Sequence, residues 1–310
     1  MKNKNTLQIW LAQTRANFLI LAVLLTFIGI SATLKYPGMH NGLNWIHATL
    51  LVFAMISAHI SVNLFNEYSD YKTRIDFNTF RTPFNGGSGM LTSGNTSPKQ
   101  VLFAAICTLI FSTMIGFYFV FTAHLSILLI MLLGGFTIVF YTNFLAKYAL
   151  GEFFSGLTLG SLVVIGTYIA LTAVPGQSFR TLIPKPIFWI SIPPGILTSL
   201  LLFINEIPDM EADKKGGRRH LVILMGRKKS SWIYTLGVVL TYMIVLLMPL
   251  INLTSWWVSI TFFTLPFAWK AVSIALKHYN NNQQLIPALG SNVIMVLATD
   301  LLLGLGLLIG

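Results

Sequence analysis

Nine apolar stretches, near residues 18–34, 43–65, 101–121, 125–142, 153–173, 187–204, 232–251, 256–276 and 285–309, constrain this chain more than any other feature. A helix that crosses a bilayer needs roughly 20 predominantly apolar residues, and nine such runs with short connections fill most of the 310 residues. The expected fold is therefore an all-α integral membrane protein of about nine transmembrane helices. An outer-membrane barrel would show alternating segments of about ten residues instead. Only 9% of the residues are charged, against about 25% in an average soluble domain, which excludes an ordinary soluble enzyme. The N-terminal run lacks a small-residue cleavage site close behind it and reads as a retained first helix. Ahead of it, Leu7 to Arg15 reads as an amphipathic helix on the inner membrane surface. One domain over residues 1–310 is expected.

Charge supplies sidedness. The chain carries 20 Lys and Arg against 9 Asp and Glu, a net +11. In a soluble protein that excess would suggest nucleic acid; here it sorts across the membrane, and no nucleic-acid partner is expected. With the N-terminus in the cytoplasm, all basic residues but Lys35, Arg180 and Lys185 fall on the inner side, as the positive-inside rule requires. The C-terminus then lies outside. Trp256, Trp257 and Trp269 read as interface anchors. The single cysteine, Cys107, leaves no disulfide to form.

Seven of the nine acids crowd into two long inner connections, near 66–100 and 205–231: Glu67, Asp70, Asp76, Glu206, Asp209, Glu211 and Asp213. Asn66-Glu67-x-x-Asp70 and Asn205-Glu206-x-x-Asp209 repeat one frame at an offset of 139 residues, each ending an even-numbered helix. The helices thus divide into two parallel pseudo-repeats of four plus one, with both motifs at one membrane face across a central cavity. On a helix, Asn66 and Asp70 share a face, as do Asn205, Asp209 and Asp213; Asp76 must reach them from a turn. Converging carboxylates need cations, and hard oxygens suit Mg²⁺ held together with substrate phosphates. Lys72, Arg74 and Arg81 after the first motif, and Lys214, Lys215, Arg218 and Arg219 after the second, fit a diphosphate. The glycine-rich segment from Arg81 to Gly89 offers backbone N–H groups to an anion.

Other polar residues read more plainly. Glu67, Glu206 and Glu211 point off the ligand faces and are expected at the surface. His40, His47, His59, His124, His220 and His278 lack metal-binding spacing, so structural or interfacial roles and no zinc site are expected. Asp300, inside the ninth run, is either functional or a paired or protonated structural group. An ion-coupled transporter is the competing class, but such sites favour the bilayer midplane in inverted repeats.

NLFNEYSDYKTRID (63–76), NEIPDMEADKKGGRRHLVILMGR (205–227) and Tyr141-Thr142 followed by Lys147-Tyr148 and Gly151-Glu152 resemble the UbiA superfamily of intramembrane prenyltransferases. The first motif is most similar to the branch that prenylates 1,4-dihydroxy-2-naphthoate in menaquinone synthesis. Pro208 departs from the Arg of many relatives, and Asn143 from their Gly or Pro. The resemblance implies a polyprenyl diphosphate and a small aromatic acceptor as substrates, and an apolar channel open to membrane lipid. It implies Mg²⁺ on Asn66, Asp70, Asp76, Asn205, Asp209 and Asp213, with Asp70 and Asp209 central to catalysis. Lys72, Arg81, Lys147, Arg218 and Tyr141 would meet the diphosphate, and Tyr68, Tyr141 or Tyr148 an allylic cation. A bacterial inner membrane location follows, with no obligate protein partner evident.

Overall fold

The apolar runs fold as helices, because a bilayer leaves backbone N–H and C=O groups no partners except one another. The computed structural model describes residues 5–39, 42–141 and 144–310; Lys2, Lys4, His40, Thr142 and Asn143 lie outside them. The helices are α1 (Thr6–Gln13), α2 (Ile20–Lys35), α3 (Trp45–Lys72), α4 (Ile75–Asn78), α5 (Pro98–Thr122), α6 (Ser126–Phe140), α7 (Gly151–Gly156), α8 (Leu162–Thr172), α9 (Lys185–Lys215), α10 (Leu221–Met225), α11 (Arg227–Leu250), α12 (Leu265–His278) and α13 (Asn282–Ile309). A π-helical turn, Leu157–Ser161, joins α7 to α8, and a 3₁₀ segment, Trp256–Thr264, leads into α12.

Among the described residues, eight helical stretches are long and apolar enough to cross a membrane. The fourth run forms only α6, 15 residues, about 22 Å at 1.5 Å per residue and so short of a hydrocarbon core of about 30 Å. Local chemistry sets several starts. Asn5 with Gln8 and Ser97 with Gln100 form capping boxes on α1 and α5, and Asn44 and Asn281 accept first-turn N–H groups of α3 and α13.

The main core joins α2, α8, α9, α11 and α13 through Leu25, Ile28, Ile169, Ile204, Val245 and Met295, all fully or nearly fully buried. Turned outward instead are Phe103, Phe121, Leu129, Leu236, Met243 and Phe263, a lipid-facing surface that water would not tolerate. Trp256, Trp257 and Trp269 are likewise exposed. Where α7 and the π turn cross α9, contact is backbone to backbone. A Cβ on Gly156 would meet the Gly195 carbonyl oxygen at 2.6 Å, and one on Gly160 the Gly195 Cα at 2.7 Å. Pro193, Pro194 and Pro208 lie inside α9 without ending it.

Two lengths position everything that follows. Helix α3 outruns its apolar stretch to Lys72, and α9 outruns its own to Lys215. Each acidic motif therefore sits on the final, polar turns of its helix.

Candidate active site

The ends of α3 and α9 meet on one side chain. Arg218 donates through Nη2 to Asp70 Oδ1 and, at 3.3 Å, to Asn66 Oδ1, and through Nη1 to Asp213 Oδ1 at 2.8 Å. Its backbone N–H donates to the Asp213 carbonyl at 2.9 Å, folding residues 216–218 back over the end of α9. Two helix C-termini, each the negative end of a macrodipole, here also carry carboxylates. Only a cation makes that stable. Burial alone would lower the Arg218 pKa, but Asp70 and Asp213 raise it more, and the guanidinium is held charged well above its ordinary range.

Asp76 comes from α4, after Arg74 reverses the chain at φ 61°. Burial, reinforced by Asp70 and Glu67 and only partly offset by Arg81 and Arg218, pushes its carboxyl up to about 8. The glycine-rich loop wraps it. Gly86, Gly87 and Gly89 all have positive φ, and a Cβ on Gly87, at φ 67°, would stand 2.8 Å from Asp76 Oδ1. Gly87→Ala should therefore displace the carboxylate and lower turnover between about ten- and a hundredfold. Circular dichroism should show unchanged helix content, whereas full activity in the variant would remove Asp76 from the site. Asn85 of the same loop donates from Nδ2 to Asp209 Oδ1.

The loop's expected anion donors have partners within the protein. Arg81 is exposed and ties the loop together: its Nε donates to the Gly86 carbonyl at 3.0 Å, and its Nη2 to the Asp76 carbonyl at 3.1 Å and Thr92 Oγ1 at 2.6 Å. It holds the loop's shape. The loop N–H at Ser88 does meet an anion, but the anion is Glu67, which also accepts from Ser88 Oγ and, at 3.0 Å, from Gln13 Nε2 of α1. Gln13 Oε1 accepts from Thr96 Oγ1 at 2.6 Å. Glu67, 1% exposed, is thus a buried tie between α1, α3 and the loop rather than a surface charge.

Glu206 is buried as well, at 5% exposure. His220 stands between the Asp213 carboxylate, 3.0 Å from Nε2, and Glu206, 3.6 Å from Nδ1. Glu152 of α7 accepts from the Leu221 N–H at 2.7 Å, and the Arg219 N–H donates to Ala146 at 2.9 Å. Donor atoms of Glu152, Glu206 and His220 lie within 4.8 Å of one another. No spacing rule detects that cluster, because three separate segments build it. Glu211 is exposed, as expected.

Lys72 is exposed, with Nζ 5.6 Å from the Tyr68 ring centroid, and Lys147 and Tyr148 are exposed. Tyr141 lies against Gly151, whose added Cβ would be 3.2 Å from the phenol oxygen. Burial, with Glu206 adding to it, raises the Tyr141 phenol well above its ordinary pKa, so it remains an O–H donor. Asp300 has no part in this region. It is fully buried on α13, and neither carboxylate oxygen has a hydrogen-bond partner among the described residues. Asn282, which donates to the Pro208 carbonyl beside Asp209, lies 18 residues away along that helix, about 27 Å.

Beside the acidic rows opens a chamber of mixed lining, where Asn66, Asn205, Tyr141, Arg218, Arg15 and His59 stand among apolar residues such as Leu21, Val62 and Leu201. Through the shared wall residues His59 and Leu159 it adjoins an apolar groove lined by residues such as Leu51, Met55, Phe119 and Met131. Arg15 and His59 escaped the sequence reading, because a basic residue near a first helix reads as a topology signal and a lone histidine as structural.

Residues 22–293 match the UbiA prenyltransferase family. The chain belongs to that family. It is 30% identical, over 72% of its length and 68% of the relative's, to the 1,4-dihydroxy-2-naphthoate octaprenyltransferase of Bacillus subtilis. To the enzyme of the same description from Haemophilus influenzae it is 25% identical over 98% of this chain and 97% of that one. Among solved structures, the apo UbiA homologue from Aeropyrum pernix K1 is similar at TM-score 0.72, with 15% identity over 94% of this chain and 98% of that one. A UbiA homologue from Archaeoglobus fulgidus bound to DMAPP and Mg²⁺ is similar at TM-score 0.61, with 14% identity over 95% and 98%. This member of the family is an integral membrane prenyltransferase.

Proposed function

We propose that the protein transfers a prenyl group from a prenyl diphosphate to 1,4-dihydroxy-2-naphthoate, with Mg²⁺ as cofactor. One observation supports this most: two Asn/Asp rows face each other across a single guanidinium, beside a chamber with polar groups in its wall that shares His59 and Leu159 with a more apolar groove. Headgroup and tail of a prenyl diphosphate need those two environments side by side. The names of the Bacillus and Haemophilus relatives support this acceptor over a hydroxybenzoate or homogentisate.

The donor set suits the metal. Asp70, Asp76, Asp209, Asp213, Asn66 and Asn205 offer hard oxygens, and Asn205 Oδ1 is buried with no partner among the described residues. These residues would hold Mg²⁺, which when bound neutralises diphosphate charge and eases its departure. Arg218 and Tyr141 would donate to diphosphate oxygens, with Lys72 and Lys147 nearby on the rim; Arg81 keeps the covering loop in shape. The allylic C–O bond breaks with its electron pair leaving on diphosphate, and the ring carbon bearing the carboxylate bonds to the allylic carbon. Loss of CO₂ returns the electron pair to the ring. The apolar groove shelters the tail and keeps water from the cation.

The arrangement of charges supports a bacterial plasma membrane location, with the site on the cytoplasmic side. Membranes containing the protein, incubated with prenyl diphosphates of several lengths, Mg²⁺ and a panel of aromatic acceptors, should yield a product whose mass is that of dihydroxynaphthoate plus the prenyl group, less CO₂. Chelation by EDTA should abolish it. Mass spectrometry showing no product with any acceptor would overturn the proposal.

A further inference from the structure

The repeat that sets the two motifs 139 residues apart sets a second pair of polar residues at the same offset. Seven residues before Asn66 stands His59, and seven before Asn205 stands Thr198. Seven residues are about two turns, so each lies on its motif's face, about 10 Å deeper along the helix. Both side chains line the chamber, from different helices, α3 and α9. His59 also lines the apolar groove, which puts it at the neck between the two.

Neither group is hydrogen-bonded among the described residues. The His59 imidazole, half-buried in the chamber wall with Arg15, makes no hydrogen bond to a described residue, and Thr198, 5% exposed, keeps Oγ1 buried without a partner among the described residues. Asn63, between His59 and Asn66 on α3, differs in donating to the Thr14 carbonyl at 3.0 Å. Hydrogen-bonding groups inside a membrane protein that find no internal partner are costly. A prenyl tail cannot satisfy them, and a diphosphate held by the acidic rows lies about two helical turns away. An aromatic ring that carries oxygen substituents can: imidazole and hydroxyl each donate and accept, as a phenol does.

We propose that His59 and Thr198 form the acceptor subsite, hydrogen-bonding oxygen substituents of the aromatic ring where it meets the allylic carbon. The assignment rests on the aromatic-acceptor reading above. It is tested with wild type, Thr198→Val, Thr198→Ser and His59→Phe, using prenyl diphosphate and whichever acceptor the wild type prenylates. Thr198→Val and His59→Phe should each raise KM for the acceptor about three- to tenfold, the worth of one neutral hydrogen bond, and leave KM for prenyl diphosphate within about twofold. Thr198→Ser should match wild type. A naphthoate without hydroxyls, used as a competitive inhibitor, should keep its Ki in both variants. Unchanged acceptor KM, or a rise confined to the prenyl diphosphate, would overturn the subsite while leaving the reaction intact; absence of any wild-type product would overturn the reaction first. Should His59→Phe not fold, as judged by thermal unfolding in detergent, the Thr198 pair and the inhibitor decide.

Discussion

Asp209→Asn should lower prenyl transfer by about 10²- to 10³-fold, the cost of removing one preorganised electrostatic group from a site where charge develops on a leaving group. The exchange keeps shape and hydrogen-bonding capacity toward Asn85, so thermal unfolding and helix content should stay near wild type. Asp70→Asn should behave alike in activity, but its carboxylate also receives Arg218, and a loss of stability should accompany it. Because the two rows act on one leaving group, the double variant should fall well short of the product of the single losses. Product formation measured by mass spectrometry at saturating Mg²⁺ checks each value. Retention of more than about a tenth of wild-type activity by Asp209→Asn would remove the second row from catalysis.

The contrast between those two aspartates marks how far sequence could reach. The bundle was legible because bilayer crossing imposes a length, and the facing rows were legible because i,i+4 geometry and the 139-residue repeat are local properties. Glu67 and Glu206 were misread by the same rule. Off the ligand face of an isolated helix means solvent, but here Gln13 and Ser88 cover Glu67, and His220 and Glu152 surround Glu206. What covers a helix face is tertiary information. The hydrogen bonds that Arg81 makes to its own loop were not legible, since only the fold shows that a loop with three glycines at positive φ turns the Gly86 carbonyl toward the guanidinium. The shortness of α6 was hidden too, because hydropathy measures an apolar run and not where its helix stops. Arg218, one of four basic residues between 214 and 219, was distinguishable from its neighbours only by contact.

That contact carries the second large effect. Arg218 is the counterion of both acidic rows, with its side chain 12% exposed and those of Asp70 and Asp213 at 9% and 2%. Removing one partner of a buried ion pair leaves an uncompensated charge, at a cost of about 3–5 kcal/mol. Arg218→Ala should therefore unfold markedly earlier than wild type in detergent, and should lose prenyl transfer because the rows have lost their shared counterion and the diphosphate a guanidinium beside it. Arg218→Lys should recover little of either, since an ammonium is a point charge and cannot reach both rows through a planar fork. Mg²⁺ with inorganic diphosphate supplies cations to the same carboxylates by another route, so it should raise the unfolding temperature of Arg218→Ala more than that of wild type. Equal shifts in the two proteins would mean that guanidinium and metal act on different carboxylates, and the two rows would then not form one site.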